Sequence, residues 1–224
     1  MLELFKKYRL FFIVMFLLSA VILTLFYNAL NPNKQLPIYT PSMVNPEMVD
    51  STIQHLANKK LHQIADFEFI NQNGDTITQD TYKDKIYIAD FFFTTCQTIC
   101  PIMTDNMTKV QEQIKNMDDV MILSHSVTPD IDTPEVLKQY AIKKGVDNSK
   151  WNLVTGKKED IYYIARKSYL AVKTGDPSEL YDMVHTENFV LIDKKRRVRG
   201  FYDGTKIEDI NKLIEDIKTL RSIK

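Results

Sequence analysis

Residues 86–101 read IYIADFFFTTCQTICP, an apolar run that ends in a turn carrying two cysteines and a proline. Aromatic and β-branched residues dominate Ile86–Phe93, so this part predicts a buried central strand. Pro101 suits the first turn of a helix, because a proline nitrogen carries no hydrogen that could be left unpaired there. The stretch therefore predicts a strand, a turn and a helix, with Cys96 and Cys100 at the junction.

Cys96 and Cys100 are the only cysteines among the 224 residues. A separation of four places both sulfur atoms on one side of a tight turn, where they can close a disulfide, reduce one or bind a soft metal ion. Disulfides that serve stability usually join distant segments, because closing a longer loop restricts the unfolded chain more. The short spacing therefore indicates chemistry at this pair rather than a structural staple.

An apolar stretch near the N-terminus predicts a membrane anchor. Leu10–Leu30 is uncharged and 21 residues long, enough to cross a hydrocarbon core of about 30 Å as a helix. The run is longer than the core of a cleaved signal peptide and has no clear Ala-x-Ala site, so we expect it to be retained. Lys6, Lys7 and Arg9 precede it, which predicts that residues 1–9 stay in the cytoplasm. The remaining chain would then lie on the extracytoplasmic, periplasmic side of the cell (inner) membrane.

The chain beyond the predicted anchor divides into a spacer and one domain. Residues 31–60 carry four prolines among polar residues, a composition typical of an extended spacer. Residues 61–224 are long enough to form a single core. The formal net charge is zero and the basic residues do not cluster with aromatic ones, so we expect no nucleic-acid partner.

Strand and helix patterns alternate along residues 61–224. Asn73-Gly74 between two short β-rich runs predicts a hairpin. Thr133 is placed to cap a helix that Gly145 ends. Strands are predicted over 67–70, 76–78, 86–93, 120–127, 152–154, 189–192 and 198–202, and helices over 101–117, 134–144, 157–170 and about 207–220. This order predicts an α/β fold with an N-terminal β-hairpin, preceded by one transmembrane helix.

Four motifs, in their order and spacing, resemble the Sco (SenC) family. They are Phe-Thr-x-Cys-x3-Cys-Pro at 93–101, Asp-Thr-Pro-Glu at 132–135, Trp-x-Leu-x-x-Gly at 151–156, and His185 four residues before an apolar strand. The resemblance covers about residues 61–222. It implies a thioredoxin-like fold on a membrane anchor. It also implies a role in delivering copper to the binuclear copper centre of cytochrome c oxidase subunit II.

The resemblance implies that Cys96, Cys100 and His185 bind the copper. Two thiolates and one imidazole suit Cu(I), which prefers soft ligands, and the same set can hold Cu(II). His185 follows Cys100 by 85 residues, on a loop that approaches the cysteine turn in a thioredoxin-like sheet. The alternative is a solvent-exposed loop histidine. A structural zinc site would need a fourth ligand, and none is evident nearby.

Asp90 interrupts the apolar strand and lies six residues before Cys96. A charged residue inside a buried strand needs a partner or a shifted pKa. The position resembles that of the buried acid of thioredoxins, which would make Asp90 a catalytic group that handles the proton of a thiol. The alternative is a structural aspartate with a local hydrogen-bond partner.

Two functions are compatible with these residues. The first is a copper-binding assembly factor that is not an enzyme, with cytochrome c oxidase subunit II or another copper or thiol protein as client. The second is a thiol-disulfide reductase that keeps a client's cysteines reduced for metal loading. A peroxidase-like enzyme is a weaker third, because nothing distinguishes a peroxidatic cysteine from its neighbour.

Two charged clusters have less specific interpretations. Asp130 and Asp132 precede the helix that Thr133 opens, and we expect them to serve its N-terminus rather than a metal ion. Five basic residues cluster at the predicted turn of residues 194–199. A solvated turn is expected there, and a docking patch for an acidic partner near the site is the alternative.

Overall fold

The computed structural model describes residues 8–30, 35–44, 62–171 and 186–223. The chain comprises two compact units, residues 1–35 and residues 36–224. In the first unit, helix α1 spans Arg9–Leu30. Its segment Arg9–Tyr27 is long and apolar enough to cross a membrane, and none of it is buried against protein. The helix predicted over residues 10–30 is therefore confirmed as a helix.

The second unit is built on one seven-stranded sheet. Strand order across the sheet is β2-β1-β5-β4-β3-β6-β7. The strands are β1 (Glu68–Asn71), β2 (Thr76–Thr78), β3 (Ile86–Phe92), β4 (Val120–Ser126), β5 (Trp151–Thr155), β6 (Asn188–Ile192) and β7 (Val198–Asp203). Neighbours β3, β4 and β5 run parallel, whereas β1, β2, β6 and β7 pair antiparallel with their neighbours. The predicted α/β fold with an N-terminal hairpin is confirmed.

Strand β3 lies inside this sheet and is buried along its whole length. It pairs with β4 from Ile86 opposite Val120 to Phe92 opposite Ser126. A parallel strand covered on both faces is apolar on both, which explains the continuous hydrophobic run that the sequence shows here. Asp90 is the exception, and it is 4% exposed.

Helices cover both faces of the sheet. On one face lie α2 (Ile99–Ile114), α3 (Pro134–Lys144) and α5 (Ile207–Ser222), whose buried residues share a core with Ile88 and Phe92. On the other face lies α4 (Lys158–Tyr163), followed by the π-helical turn Ile164–Ser168. The three layers are those of the thioredoxin-like fold that the resemblance implied.

Two glycines lie at the turn and the helix end that the sequence predicted for them. Gly74 occupies the hairpin turn with a φ of +83°, and Gly145 ends α3 with a φ of +68°. Both angles lie in the left-handed region, which glycine adopts without steric cost. The helix predicted over 157–170 is different, because its regular part ends at Tyr163 and a π-helical turn replaces the rest.

Residues 36–39, which belong to the second unit, pack against strand β7. The Tyr39 amide donates to the Val198 carbonyl at 2.9 Å. Arg199 donates from Nε to the Pro37 carbonyl at 2.9 Å and from Nη2 to the Leu36 carbonyl at 2.6 Å. This part of the predicted spacer is therefore bound along the edge strand β7, whose unpaired groups it covers. Residues 31–34 and 45–60 lie outside the described residues, so the spacer as a whole stays a prediction.

Candidate functional site

The two cysteines lie together where β3 ends and α2 begins. A hydrogen bond of 3.3 Å from the Cys96 amide to the Phe93 carbonyl closes the turn between them and the strand. Cys100 is the second residue of α2, and its amide donates to Cys96 Sγ at 3.4 Å. Both cysteines are free thiols, Cys96 partly exposed and Cys100 buried. The accessible sulfur therefore lies at the N-terminus of a helix, where backbone amides favour negative charge.

The two thiols differ strongly in acidity. Burial opposes ionisation of Cys96, but hydrogen bonds from Thr98 and Cys100 outweigh it and lower its pKa to about 7. Burial raises the pKa of Cys100 to about 12, and the neighbouring Cys96 and Asp90 add to the rise. At neutral pH, Cys96 is thus the more readily ionised thiol, and Cys100 keeps its proton. The sequence shows no such difference between the two.

Asp90 is buried on the same face of the sheet as Cys100. Burial raises the pKa of its carboxyl to about 7, and the hydrogen bond from Ser124 Oγ opposes part of that rise. Trp151 Nε1 in turn donates to Ser124 Oγ at 2.8 Å. The structure thus supplies the local partner that the alternative interpretation required. It also leaves a carboxyl that titrates near neutral pH, and its charge bears on Cys100.

Asp132 has a role that the sequence did not indicate. Its side chain is completely buried and accepts hydrogen bonds from the amide and hydroxyl of Thr94, two residues before Cys96. The N-terminus of α3 is capped instead by Thr133, whose Oγ1 accepts from the Val136 amide at 3.4 Å. The expectation that Asp132 serves this helix is therefore wrong. Its partner in the cysteine turn, Thr94, lies 38 residues earlier, which no local pattern reveals.

Strand β6 brings the chain back to the cysteine end of the sheet. It pairs antiparallel with β3, so that Tyr87 faces Ile192 and Ala89 faces Val190. Since β3 runs towards the cysteine turn, β6 begins at that end. His185 precedes the first residue of β6, Asn188, by three positions, and it lies outside the described residues. Within the described ranges, no group of three or more His, Cys, Asp or Glu side chains could hold a metal ion.

The basic hairpin lies at the opposite end of the sheet. It follows β6, which runs away from the cysteine turn, and its charges are largely paired. Arg197 and Arg199 bind Asp193, Arg196 binds Asp66, and Lys194 binds Asp119. A docking patch beside the cysteines is therefore not what this cluster forms.

His125 is a core residue, as its strand position suggests. It is fully buried, stacks on Phe91 with ring centroids 5.0 Å apart, and places Nδ1 3.4 Å from the Asp90 carbonyl. Burial lowers its pKa to about 3, so the imidazole stays neutral. His125 lies on the sheet face opposite Cys100, which separates it from the dithiol.

Comparison with known proteins gives a family match over most of the chain. The family model described as SCO1/SenC matches residues 56–222. A SCO1/SenC family lipoprotein from Bacillus anthracis is 38% identical in sequence, and its crystal structure superposes with a TM-score of 0.65. The match covers 74% of this chain and 99% of the lipoprotein chain.

Two further solved structures connect the fold to chemistry. BsSco, a Sco-family cytochrome c oxidase assembly protein in which a disulfide switch was identified, is 31% identical with a TM-score of 0.63, over 75% of this chain and 98% of BsSco. ScoI from Arabidopsis thaliana, solved with copper bound, is 26% identical with a TM-score of 0.56. That match covers 70% of this chain and 97% of ScoI.

Proposed function

Because this chain belongs to the SCO1/SenC family, we propose that it is a membrane-anchored copper-binding protein that assists assembly of the copper centre of cytochrome c oxidase. The proposed copper ligands are Cys96, Cys100 and His185. The observation that carries the proposal is the pair of free thiols at the cysteine turn, one ionised readily and one buried. The likeness to a copper-bound ScoI supports the choice of metal.

The thiol pair fits a soft, low-coordinate ion. A thiol binds copper only after it has lost its proton. Because the pKa of Cys96 is about 7, the copper ion has to displace a proton from only about half of the Cys96 side chains at neutral pH. Cys100 with a pKa of about 12 would ionise only when the ion replaces its proton. Copper binding by this pair should therefore release close to one and a half protons at pH 7, since Cys96 is already half ionised.

The third ligand is proposed from the chain path. Asn188 lies at the cysteine end of the sheet, and three residues span at most about 11 Å. This limit on the reach of the chain supports His185 as the third ligand. Among the described residues, no His, Asp or Glu joins the two cysteines in a group of three that could hold a metal ion.

The proposed membrane anchor predicts on which side of the membrane the copper site works. Helix α1 is long and apolar enough to span a membrane, and the basic residues before it would stay in the cytoplasm. The domain would then work on the extracytoplasmic side, where subunit II of the oxidase or another copper or thiol protein is the proposed client. Free thiols on that side are exposed to oxidation, so copper loading and thiol redox state would be coupled.

Copper titration of the full chain in detergent tests the ligand set. The wild type should bind one Cu(I) or one Cu(II) per chain, and Cys96→Ser and Cys100→Ser should each abolish tight binding. His185→Ala should weaken Cu(II) more than Cu(I), because the harder ion depends more on nitrogen. His62→Ala is the matched imidazole control and should bind like the wild type, since His62 contacts the Ser168 carbonyl on the other face of the sheet.

Retention of wild-type affinity in the Cys96→Ser/Cys100→Ser double variant would place copper elsewhere and end the metallochaperone proposal. An equal loss in His185→Ala and His62→Ala would remove His185 from the ligand set while leaving the two cysteines in it.

A thiol-disulfide reductase is the second candidate, favoured by the unequal acidities of the two thiols. The Cys96 thiolate would attack a client disulfide and form a mixed disulfide, releasing one client thiolate. Cys100 would then lose its proton and attack Cys96 Sγ, which releases the second client thiolate and leaves a Cys96–Cys100 disulfide. Asp90 is the proposed acceptor of the Cys100 proton, because burial keeps its pKa near 7.

Two variants separate the candidates. His185→Ala should abolish oxidase assembly if copper transfer is the task and preserve it if disulfide reduction is the task. Asp90→Asn should slow disulfide reduction at neutral pH with little change in copper affinity. A wild-type reduction rate for Asp90→Asn from pH 6 to pH 9 would make Asp90 structural and remove its part in the reductase.

A further inference from the structure

Asp132 is a fully buried carboxylate with four hydrogen-bond donors. Its Oδ2 accepts from the Thr94 amide at 3.2 Å, from Thr128 Oγ1 at 3.0 Å and from Ser126 Oγ, and its Oδ1 accepts from Thr94 Oγ1. All four donors are neutral. Because four donor groups converge on one buried side chain, and a buried polar group is costly to leave unpaired, this is a strong local junction.

The donors come from two separate elements. Ser126 is the last residue of β4 and Thr128 follows it, so this pair holds the carboxylate against the sheet. Thr94 belongs to the turn from Phe93 to Cys96. Asp132 thereby ties the cysteine turn to the end of the neighbouring parallel strand.

The hydrogen bonds between Asp132 and Thr94 restrain the position of Cys96. Thr94 lies inside the turn that the hydrogen bond from Cys96 to Phe93 closes, and both its backbone and its side chain are bound by Asp132. The Cys96 sulfur in turn accepts from the Cys100 amide. If Thr94 were released, the turn could shift, and the Cys96 sulfur would lose its defined place over the first turn of α2.

We propose that Asp132 is a positioning residue for the dithiol: through Thr94 it holds the Cys96 turn in the geometry in which the two sulfurs act together. The inference rests on the proposed function to the extent that the two cysteines work as a pair. The hydrogen bonds of the Asp132 side chain go to Thr94, Ser126 and Thr128 and to neither sulfur.

The effective concentration of one sulfur near the other predicts how a change in the turn alters disulfide formation and copper binding. A rigid turn keeps the two sulfurs near each other, which favours any product that needs both, a disulfide or a shared metal ion. A loosened turn samples more positions and lowers the equilibrium constant for each product. Loss of Asp132's hold on Thr94 should therefore weaken the Cys96–Cys100 disulfide as well as copper binding.

Two threonine variants form a matched test. Thr94→Val and Thr128→Val each replace a hydroxyl that donates to Asp132 by a methyl group of the same size, but only Thr94 belongs to the cysteine turn. The full chain in detergent is equilibrated with oxidised and reduced glutathione. One dithiol is oxidised as one oxidised glutathione becomes two reduced molecules. The fraction of Cys96–Cys100 disulfide gives the equilibrium constant.

Thr94→Val should lower this constant by about threefold to tenfold, tenfold being the most that the net contribution of one hydrogen bond allows, whereas Thr128→Val should lower it less than about twofold. Asp132→Asn should also lower it, and Thr133→Ala, which removes the helix cap and a hydrogen bond to Glu135 but no donor to Asp132, should leave it unchanged. Equal shifts in Thr94→Val and Thr128→Val, no shift in either, or a stronger disulfide in Thr94→Val would overturn the proposal.

Copper titration of the wild type and of Thr94→Val distinguishes a failure of this inference from a failure of the proposed function. If the wild type binds copper, Thr94→Val should weaken Cu(I) affinity in parallel with the disulfide, and unchanged affinity would overturn the inference for the metal. If the wild type binds no copper, the metallochaperone proposal fails, while the glutathione equilibrium still decides the role of Asp132.

Discussion

Asp90→Asn should change the pH dependence of folding in a way that follows from burial alone. The Asp90 carboxyl has an ordinary pKa of 3.8 in the unfolded chain and about 7 in the fold, where burial disfavours the charge and Ser124 offsets only part of the effect. A shift of roughly three pKa units corresponds to about 4 kcal/mol. That is a large share of the roughly 5–15 kcal/mol by which domains are stable.

The sign of the effect is set by which state binds the proton. Between about pH 4 and pH 7, the folded state keeps the Asp90 proton and the unfolded state has lost it. The stability that the protonated carboxyl provides is complete below pH 4 and is lost as the pH rises to 7, after which the dependence ends. Asparagine has no charge to bury, so the variant should lack this decline.

Denaturant unfolding of the reduced, metal-free full chain in detergent at several pH values from 4 to 8 provides the measurement. Trp151 is the single tryptophan of the chain and is buried beside Ser124, so its fluorescence follows the domain. The difference in unfolding free energy between variant and wild type should change by about 4 kcal/mol in favour of asparagine from pH 4 to pH 8.

The matched control is Asp105→Asn, which removes an exposed carboxylate on α2 paired with Lys144. Its difference from the wild type should stay within about 0.5 kcal/mol across the same range. If the Asp90→Asn and wild-type curves run parallel from pH 4 to pH 8, the carboxyl is not held neutral by burial. The reasoning about its pKa, and with it the proton acceptor of the reductase, would then be refuted.

Three further outcomes are expected. Brief iodoacetamide treatment at pH 7 should label Cys96, about half of which is ionised, and leave Cys100 almost unlabelled, as peptide mass spectrometry would show; equal labelling would contradict the assigned acidities. Arg199→Met should lower the free energy of unfolding by about 1–3 kcal/mol, because Asp193 keeps Arg197 but loses its buried partner, and the Leu36 and Pro37 carbonyls lose their donor. A loss below 1 kcal/mol in denaturant unfolding would show that this contact contributes little. The full-length protein should sediment with membranes, and protease added on the outer side should digest the domain; a processed, soluble form would instead identify α1 as a cleaved signal.

The sequence alone predicts the features that depend on near neighbours. The apolar run of β3, the glycine turn between β1 and β2, and the Thr133 cap of α3 are each carried by a few adjacent residues with strong local preferences. The spacing of Cys96 and Cys100 likewise locates the chemistry without any structure. The π-helical turn after α4 is where local propensity fails, since a helical pattern continues to Leu170 although the regular helix ends at Tyr163.

The tertiary structure decides what distant segments do to the site. Asp132 reaches Thr94 across 38 positions and Arg199 reaches Pro37 across 162, and such contacts leave no pattern in the intervening sequence. The unequal acidity of the cysteines and the raised pKa of Asp90 arise from burial, which depends on where the helices cover the sheet. The order of residues therefore determines which ionisable side chains the site can contain. The fold determines which of these side chains are buried, which are ionised and which are fixed by hydrogen bonds.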